Sequence, residues 1–197
     1  VKWDDQPASV PSIVDSLLRA HQLTLSEPQG PVYVCFDAAL QEQRLEESIP
    51  LPNMAKYPSP TRVQADPQAI ERAAEMLLAA ERPVAIADYL GKAPEASDGL
   101  LRLADNLALP VIDMGDLFNF PSKHALNFTD AADEILSEAD VIVALDVFDL
   151  QQALSTVDRV TRSARKRIPA SAQIIDISLR QYAVRSWVTD FGKLQPV

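Results

Sequence analysis

Residues 139–146 read Ala139-Asp140-Val141-Ile142-Val143-Ala144-Leu145-Asp146. Five consecutive apolar residues between aspartates are too few for a helix and show no polar face, so they predict a strand covered on both sides. Such a strand needs neighbours, and the flanking sequence provides them in alternation with helices. Upstream, Val84–Ala87 and Val111–Met114 have the same short apolar character, and Ile174–Ile177 repeats it downstream. The first intervening helix starts at an Asp66-Pro67 cap, places Ile70, Ala73, Ala74, Leu77 and Leu78 on one face, and stops before Pro83. Further helical patterns lie around Ser97–Leu107, near Ala131–Leu136 and from about Leu150 to Arg167. Short apolar strands separated by helices imply right-handed βαβ crossovers, so residues 66–197 read as a doubly wound α/β domain with a parallel sheet. Its last stretch, Trp187–Val197, reads as the start of a final unit without its closing helix.

The preceding residues differ in character. Ser9–Ala20 carries Val10, Ile13, Val14, Leu17 and Leu18 at helical spacing, with Ser9 placed to cap and Pro11 in the first turn. A turn at Gln29-Gly30-Pro31 leads into an apolar strand, Val32–Phe36. One helix and one strand make no sheet, so residues 1–40 read as the remnant of a neighbouring α/β domain. The open strand edge is expected either to dock on the following domain or to pair between chains. Residues 41–65 carry Pro50, Pro52, Pro58 and Pro60, a density that blocks both helix and ladder and predicts an interdomain linker.

Composition removes several classes of function. The net charge is −10 and the pI near 4.6, which argues against nucleic acid and anionic membrane surfaces as partners. The densest basic cluster, Arg162–Arg167, reads as a solvated face of the last long helix. The single cysteine, Cys35, excludes an internal disulfide and a cysteine-built zinc site, and its apolar surroundings predict a buried, inert thiol. No apolar run approaches the roughly 20 residues of a membrane span, and no secretion signal is evident, which points to the cytoplasm. His21, at an expected helix end, and His124, in a loop, have no partners at metal-ligand spacing.

Ligands of doubly wound sheets sit beyond the carboxyl ends of the strands. Those ends carry Asp88 and Tyr89, Asp113–Asp116, Asp146–Asp149 and Asp176. Asp88, Gly91, Asp113 and Asp146 are the candidate cofactor-binding positions; aspartate at such ends also caps the following helix, a competing reading. Phosphate cradles use glycines so that backbone N–H groups can approach the anion. The first strand is followed instead by Asp88-Tyr89-Leu90-Gly91-Lys92, and the whole chain has five glycines. No catalytic or metal-binding residue is assigned.

The order of motifs resembles the thiamine diphosphate-dependent enzymes of the acetolactate synthase and benzoylformate decarboxylase type. Gly30-Pro31-Val32-Tyr33-Val34, with the helix ending Leu18-Arg19-Ala20 before it, is similar to the close of that family's pyrimidine-binding domain. Ala80-Glu81-Arg82-Pro83-Val84-Ala85-Ile86 resembles the entry to its Rossmann-like central domain. Leu109-Pro110-Val111 is similar to the second central strand, and Phe120-Pro121-Ser122-Lys123-His124 to a Phe-Pro-x-x-His-Pro loop, with Ala125 in place of the final proline. Ala139–Val143 and Gln173–Ile177 follow in order. The resemblance implies a parent with pyrimidine-binding, central and diphosphate-binding domains, acting on 2-keto acids by decarboxylation or carboligation and working as a homo-oligomer.

On that reading residues 1–40 end the first domain, 41–65 link, and 66–197 form the central domain. The chain begins at Val1 and lacks the family's activating glutamate and its Gly-Asp-Gly motif. Thiamine diphosphate and Mg2+ are therefore expected on the missing pyrimidine- and diphosphate-binding domains, and this piece alone is expected to be inactive. Some relatives hold FAD in the central domain; Leu145, Val147 and Ser178 depart from their pattern, which argues against flavin. Two other readings stay open: a free-standing nucleotide-binding module and a non-catalytic scaffold.

Overall fold

The computed structural model describes residues 1–179, so the expectation for Trp187–Val197 lies outside the described residues. The chain divides into two compact units, Val1–Gln64 and Ala65–Val197.

In the first unit, strand β1 (Trp3–Asp5) leads into helix α1 (Val10–Leu25), strand β2 (Val32–Val34) and a short helix α2 (Ala38–Glu42). Ser9 caps α1 as expected. Its side chain accepts from Ser12 N, and the Ser12 hydroxyl takes the Ser9 N–H in return. The orphan strand is not an orphan: β2 pairs in parallel with β1, Trp3 opposite Val32 and Asp5 opposite Val34. The sequence reading missed β1 because three residues, two of them acidic, carry no periodicity. A side-chain bond from Ser16 to Asp5 ties α1 to β1. Lys2 Nζ donates to Leu23 O and Ser26 O, both at 2.6 Å, securing the end of the helix. Within the unit β2 thus has one neighbour, β1, in a two-stranded sheet. Two details also change. α1 runs on to Leu25, so His21 lies inside the helix and not at its end. Cys35 is only half-buried, because β2 stops at Val34 and has no sheet beyond it.

Beyond the end of α2, the stretch expected as a linker contains only a 3₁₀ turn, Met54–Lys56, capped by Asn53. The second unit then opens with α3 (Pro67–Ala79), capped by Asp66 and carrying proline at its start. It continues with β3 (Pro83–Ala87), α4 (Pro94–Leu107), β4 (Val111–Asp113), α5 (Ala132–Glu138), β5 (Val141–Leu145) and α6 (Leu150–Ala153). Strands β6 (Ser155–Val157), β7 (Ala164–Lys166) and β8 (Gln173–Ile177) follow. The sheet order is β4-β3-β5-β8, all parallel, with Val84 opposite Ile142 and Ile142 opposite Ile174.

Period-2 alternation sends the strand residues to opposite faces. Ala85, Ala87, Val111, Val143 and Ile175 pack with Ala73, Leu77, Leu100 and Ala104 from α3 and α4. Val84, Ile86, Ile142, Ala144 and Ile174 pack with Leu136, Leu150 and Leu154 on the other side. Each fully buried branched side chain contributes about 1.5–3 kcal/mol, which is why a sheet covered twice is stable with strands this short.

Two expectations are corrected. On α3 the buried positions are Ala73 and Leu77, while Ile70 and Leu78 are 44% and 72% exposed, so the covered stripe is narrower than the pattern implied. The long helix expected over 150–167 is a single turn followed by an antiparallel hairpin, Ser155 opposite Lys166 and Val157 opposite Ala164. The residues explain it: Ser155-Thr156-Val157 and Val160-Thr161 are poor helix formers. Asp158 also satisfies a turn instead, its Oδ1 accepting from Val160 N at 2.8 Å and Thr161 N at 2.7 Å. Those bonds hold its carboxyl below the usual range. The basic cluster therefore sits on a hairpin, not on a helix face.

Candidate functional site

The chain leaves β3, adds β4 on one side, then returns to add β5 on the other. The direction of winding reverses between β3 and β5, and the crevice beyond their carboxyl ends is where a doubly wound sheet takes a ligand. Asp88 follows β3 and Asp146 follows β5, so the topology brings these two candidates together at that crevice. It sends the other two, Gly91 and Asp113, to the adjoining corner over β3 and β4.

Several of the protein's own polar groups meet at this crevice. Asp88 is 3% exposed, and its Oδ2 accepts from Phe148 N at 2.9 Å. Asp88 N and Tyr89 N continue the ladder to Leu145 O and Asp146 O, both at 3.3 Å. Lys92 Nζ lies 2.7 Å from Asp146 Oδ2. Asp146 holds a left-handed backbone, φ 51°, and Ser178 Oγ donates to its Oδ1 at 3.4 Å. From β8, the half-buried Asp176 joins the cluster. Burial, reinforced by the charge of Asp146, pushes its carboxyl up to about 6, and its Oδ1 has no hydrogen-bond partner among the described residues.

That shift carries a pH dependence. A carboxyl raised in the folded state favours folding when neutral, so its stabilisation is full below the ordinary value near 3.8 and is lost as pH rises through about 6. Asp176→Asn is therefore expected to stabilise the protein at pH 7–8 by about 1 kcal/mol, discounted for partial exposure, and to change little below about pH 4. Urea midpoints at the two pH values measure this; equal shifts at both would contradict it.

The corner over β3 and β4 is a knot of short polar contacts. Asn119 is fully buried. Its Oδ1 accepts from Gly91 N at 3.0 Å, and its Nδ2 donates to Asp113 Oδ1 at 2.7 Å and Leu117 O at 2.9 Å. Asp113 also accepts from Gly115 N at 2.9 Å and Phe120 N at 3.2 Å. Gly91 is glycine because of packing: a Cβ there would stand 2.1 Å from Phe118 O. Its close approach is to the Phe118 backbone. The sequence reading passed over Asn119, whose only signal was a polar residue set between Phe118 and Phe120. His124 anchors the same loop: Nε2 lies 3.2 Å from Asp105 Oδ1, and the ring meets Phe120 edge-on at 4.9 Å.

Chemically, the crevice offers two buried or half-buried carboxylates beside an Asp146–Lys92 ion pair. Such a set disfavours a diphosphate, whose charge has the same sign. The three positions set against a flavin pattern are also engaged: Val147 is core, Leu145 packs on the sheet and Ser178 turns to Asp146. Among the described residues no group of His, Cys, Asp and Glu is placed to hold a metal ion, and no helix is long and apolar enough to cross a membrane.

Comparison with known proteins agrees with the parallel α/β fold. The family model described as "Thiamine pyrophosphate enzyme, central domain" matches residues 70–186. A Methanocaldococcus jannaschii protein named "Probable acetolactate synthase large subunit" is 28% identical over 185 residues, covering 88% of this chain and 29% of that protein. The benzoylformate decarboxylase of Polynucleobacter necessarius superposes with a TM-score of 0.64 at 20% identity, over 90% of this chain and 33% of that one. The thiamine diphosphate-dependent 4-hydroxybenzoylformate decarboxylase of Rhodococcus jostii RHA1 gives 0.66 at 19% identity, over 90% and 34%. The chain spans about a third of the length of these relatives.

Proposed function

The chain belongs to the thiamine pyrophosphate enzyme family, as its central domain, and on that premise we propose that it is the structural, oligomer-supporting domain of a cytoplasmic enzyme acting on 2-keto acids. The reaction is decarboxylation or carboligation of the acetolactate synthase type. Thiamine diphosphate, when bound, supplies the carbanion-stabilising chemistry, and the protein supplies position and a dry site. In this proposal the cofactor and Mg2+ are held by pyrimidine- and diphosphate-binding domains, with residues 1–40 ending the first of these, 41–65 linking, and 66–197 forming the central domain.

One observation carries the structural role. At the switch point Asp88 accepts from Phe148 N and Lys92 pairs with Asp146, and these contacts between the protein's own groups support a scaffolding reading of the sheet edge. Candidates Asp88, Gly91, Asp113 and Asp146 are assigned to that scaffolding.

Isothermal titration of the purified chain with thiamine diphosphate plus Mg2+, with FAD and with ADP is expected to give no binding heat. Micromolar binding of FAD or ADP would make the crevice a nucleotide site and end the structural reading. Binding of thiamine diphosphate to the 197 residues would contradict the division of labour between domains.

A further inference from the structure

The β6–β7 hairpin is a cationic feature on an acidic protein. Arg159, Arg162, Arg165, Lys166 and Arg167 fall within nine residues that contain no carboxylate, in a chain whose net charge is −10. Only Arg167 is matched: its Nε lies 2.6 Å from Asp133 Oδ1 on α5, and it also donates to Ala153 O at 2.9 Å. The other four make no ion pair among the described residues, and all four are exposed.

Beside the hairpin, α5 and the turn before it present the opposite charge. Asp130, Asp133, Glu134 and Glu138 are exposed there; Asp133 is paired with Arg167 and Glu138 with Arg82. Asp130 and Glu134 make no ion pair among the described residues. The two strips are contiguous, joined by the Arg167–Asp133 pair. An open groove of about 460 Å³ lies between them, lined on one side by Asp133 and Ser137 and on the other by Arg165 and Lys166.

We propose that this face is a self-complementary, two-fold interface between copies of the chain, the cationic hairpin of one docking on the acidic α5 of the other and the reverse. The proposal deepens the oligomer-supporting part of the function above and is independent of its cofactor part. A two-fold operation places one patch against itself, so a stable contact needs both charges side by side on that patch, and here they are adjacent. The hairpin tip is ordered in advance, since Asp158 accepts from Val160 N and Thr161 N, and Asp158 N donates to Ser163 O at 2.9 Å. That order lowers the entropy lost on docking. It also presents Val160, 91% exposed, as an apolar contact at the end of the charged arm.

Sedimentation velocity on the full chain tests this, with two charge-reversed variants, Arg165→Glu/Lys166→Glu and Asp130→Arg/Glu134→Arg. The unmodified chain is expected to dimerise reversibly, with affinity weakening about tenfold or more between about 0.05 M and 0.5 M salt. Each variant alone is expected to be monomeric, because like charges then face each other, and an equimolar mixture of the two is expected to regain the dimer. These positions are exposed, and the mixture shows that both variants remain folded. A chain that stays monomeric at about 0.1 mM in low salt, a dimer indifferent to either reversal, or a mixture that fails to pair would each overturn the proposal. Ligand titration is not read in this experiment, so either reading can fail without the other.

Discussion

Asn119→Ala will destabilise the second unit by about 4 kcal/mol, the largest loss expected from any polar substitution at the sheet edge. The side chain is fully buried and makes three hydrogen bonds, to Gly91 N, Asp113 Oδ1 and Leu117 O. Truncation strands the Gly91 N–H and the Leu117 carbonyl and removes a donor from a carboxylate. Each buried group left unsatisfied costs about 1–3 kcal/mol, and hydrogen bonds to charged groups are at the upper end. The small cavity adds to that. Urea unfolding should show a lower midpoint with an unchanged slope, since the surface exposed on unfolding is the same. Asn119→Asp provides a second test with a different signature. It sets a carboxylate 2.7 Å from Asp113, so its defect should ease as pH falls and one of the pair takes a proton. A loss under 1 kcal/mol for the alanine variant would mean that the knot does not hold the β3–β4 corner.

Gly91→Ala should cost about 3 kcal/mol. The added Cβ would lie 2.1 Å from Phe118 O, 2.7 Å from its carbonyl carbon and 3.2 Å from its N. All three are backbone atoms, so relief requires moving the chain and not a side chain. Overpacking of this kind costs roughly 1–3 kcal/mol, and a rigid backbone neighbour places it at the top of that range. The shifted loop would also stretch the Gly91 N to Asn119 bond. The double variant Gly91→Ala/Asn119→Ala should therefore lose clearly less than the sum of the two, since both act on the same contact. Equilibrium unfolding of the four proteins measures the coupling. Strict additivity, or a silent Gly91→Ala, would remove the packing explanation for this glycine and return it to the candidates for an anion site.

Both predictions concern residues at the edge where a doubly wound sheet would take its ligand. In the proposed reading that edge is scaffold. Asp113 organises the loop that follows β4, Asp88 fixes the turn after β5, and Lys92 answers the charge of Asp146. The family relationship, the polar contacts at this edge and the adjacent charge strips on α5 and the β6–β7 hairpin are what support the proposed structural role.

How much of this was legible in the sequence depended on the range of the deciding forces. Strands β3, β4, β5 and β8, and helices α3, α4 and α5, could be read within a residue or a few of their ends. Their signals are local: apolar runs of strand length, caps at Asp66 and prolines at first turns. The hairpin was missed because apolar and basic spacing over 150–167 mimics a helix, while the outcome turned on β-branched residues and one aspartate closing a turn. β1 was missed because its pairing with β2 is a long-range contact that three residues cannot announce. In the candidate site, repeated aspartates at strand ends were visible. Their division into a crevice pair and a corner pair was not, since it follows from strand order.

The sequence by itself determined a parallel α/β domain and the family it resembles, because both are written in the order and periodicity of short local signals. Only the tertiary structure decided that Gly91 answers to Phe118 O, that Asn119 ties two loops together, and that cationic and acidic strips lie side by side. The physical reason is that close packing, buried hydrogen bonds and charge adjacency are relations between residues far apart in the chain. They exist only once the sheet has brought those residues within reach.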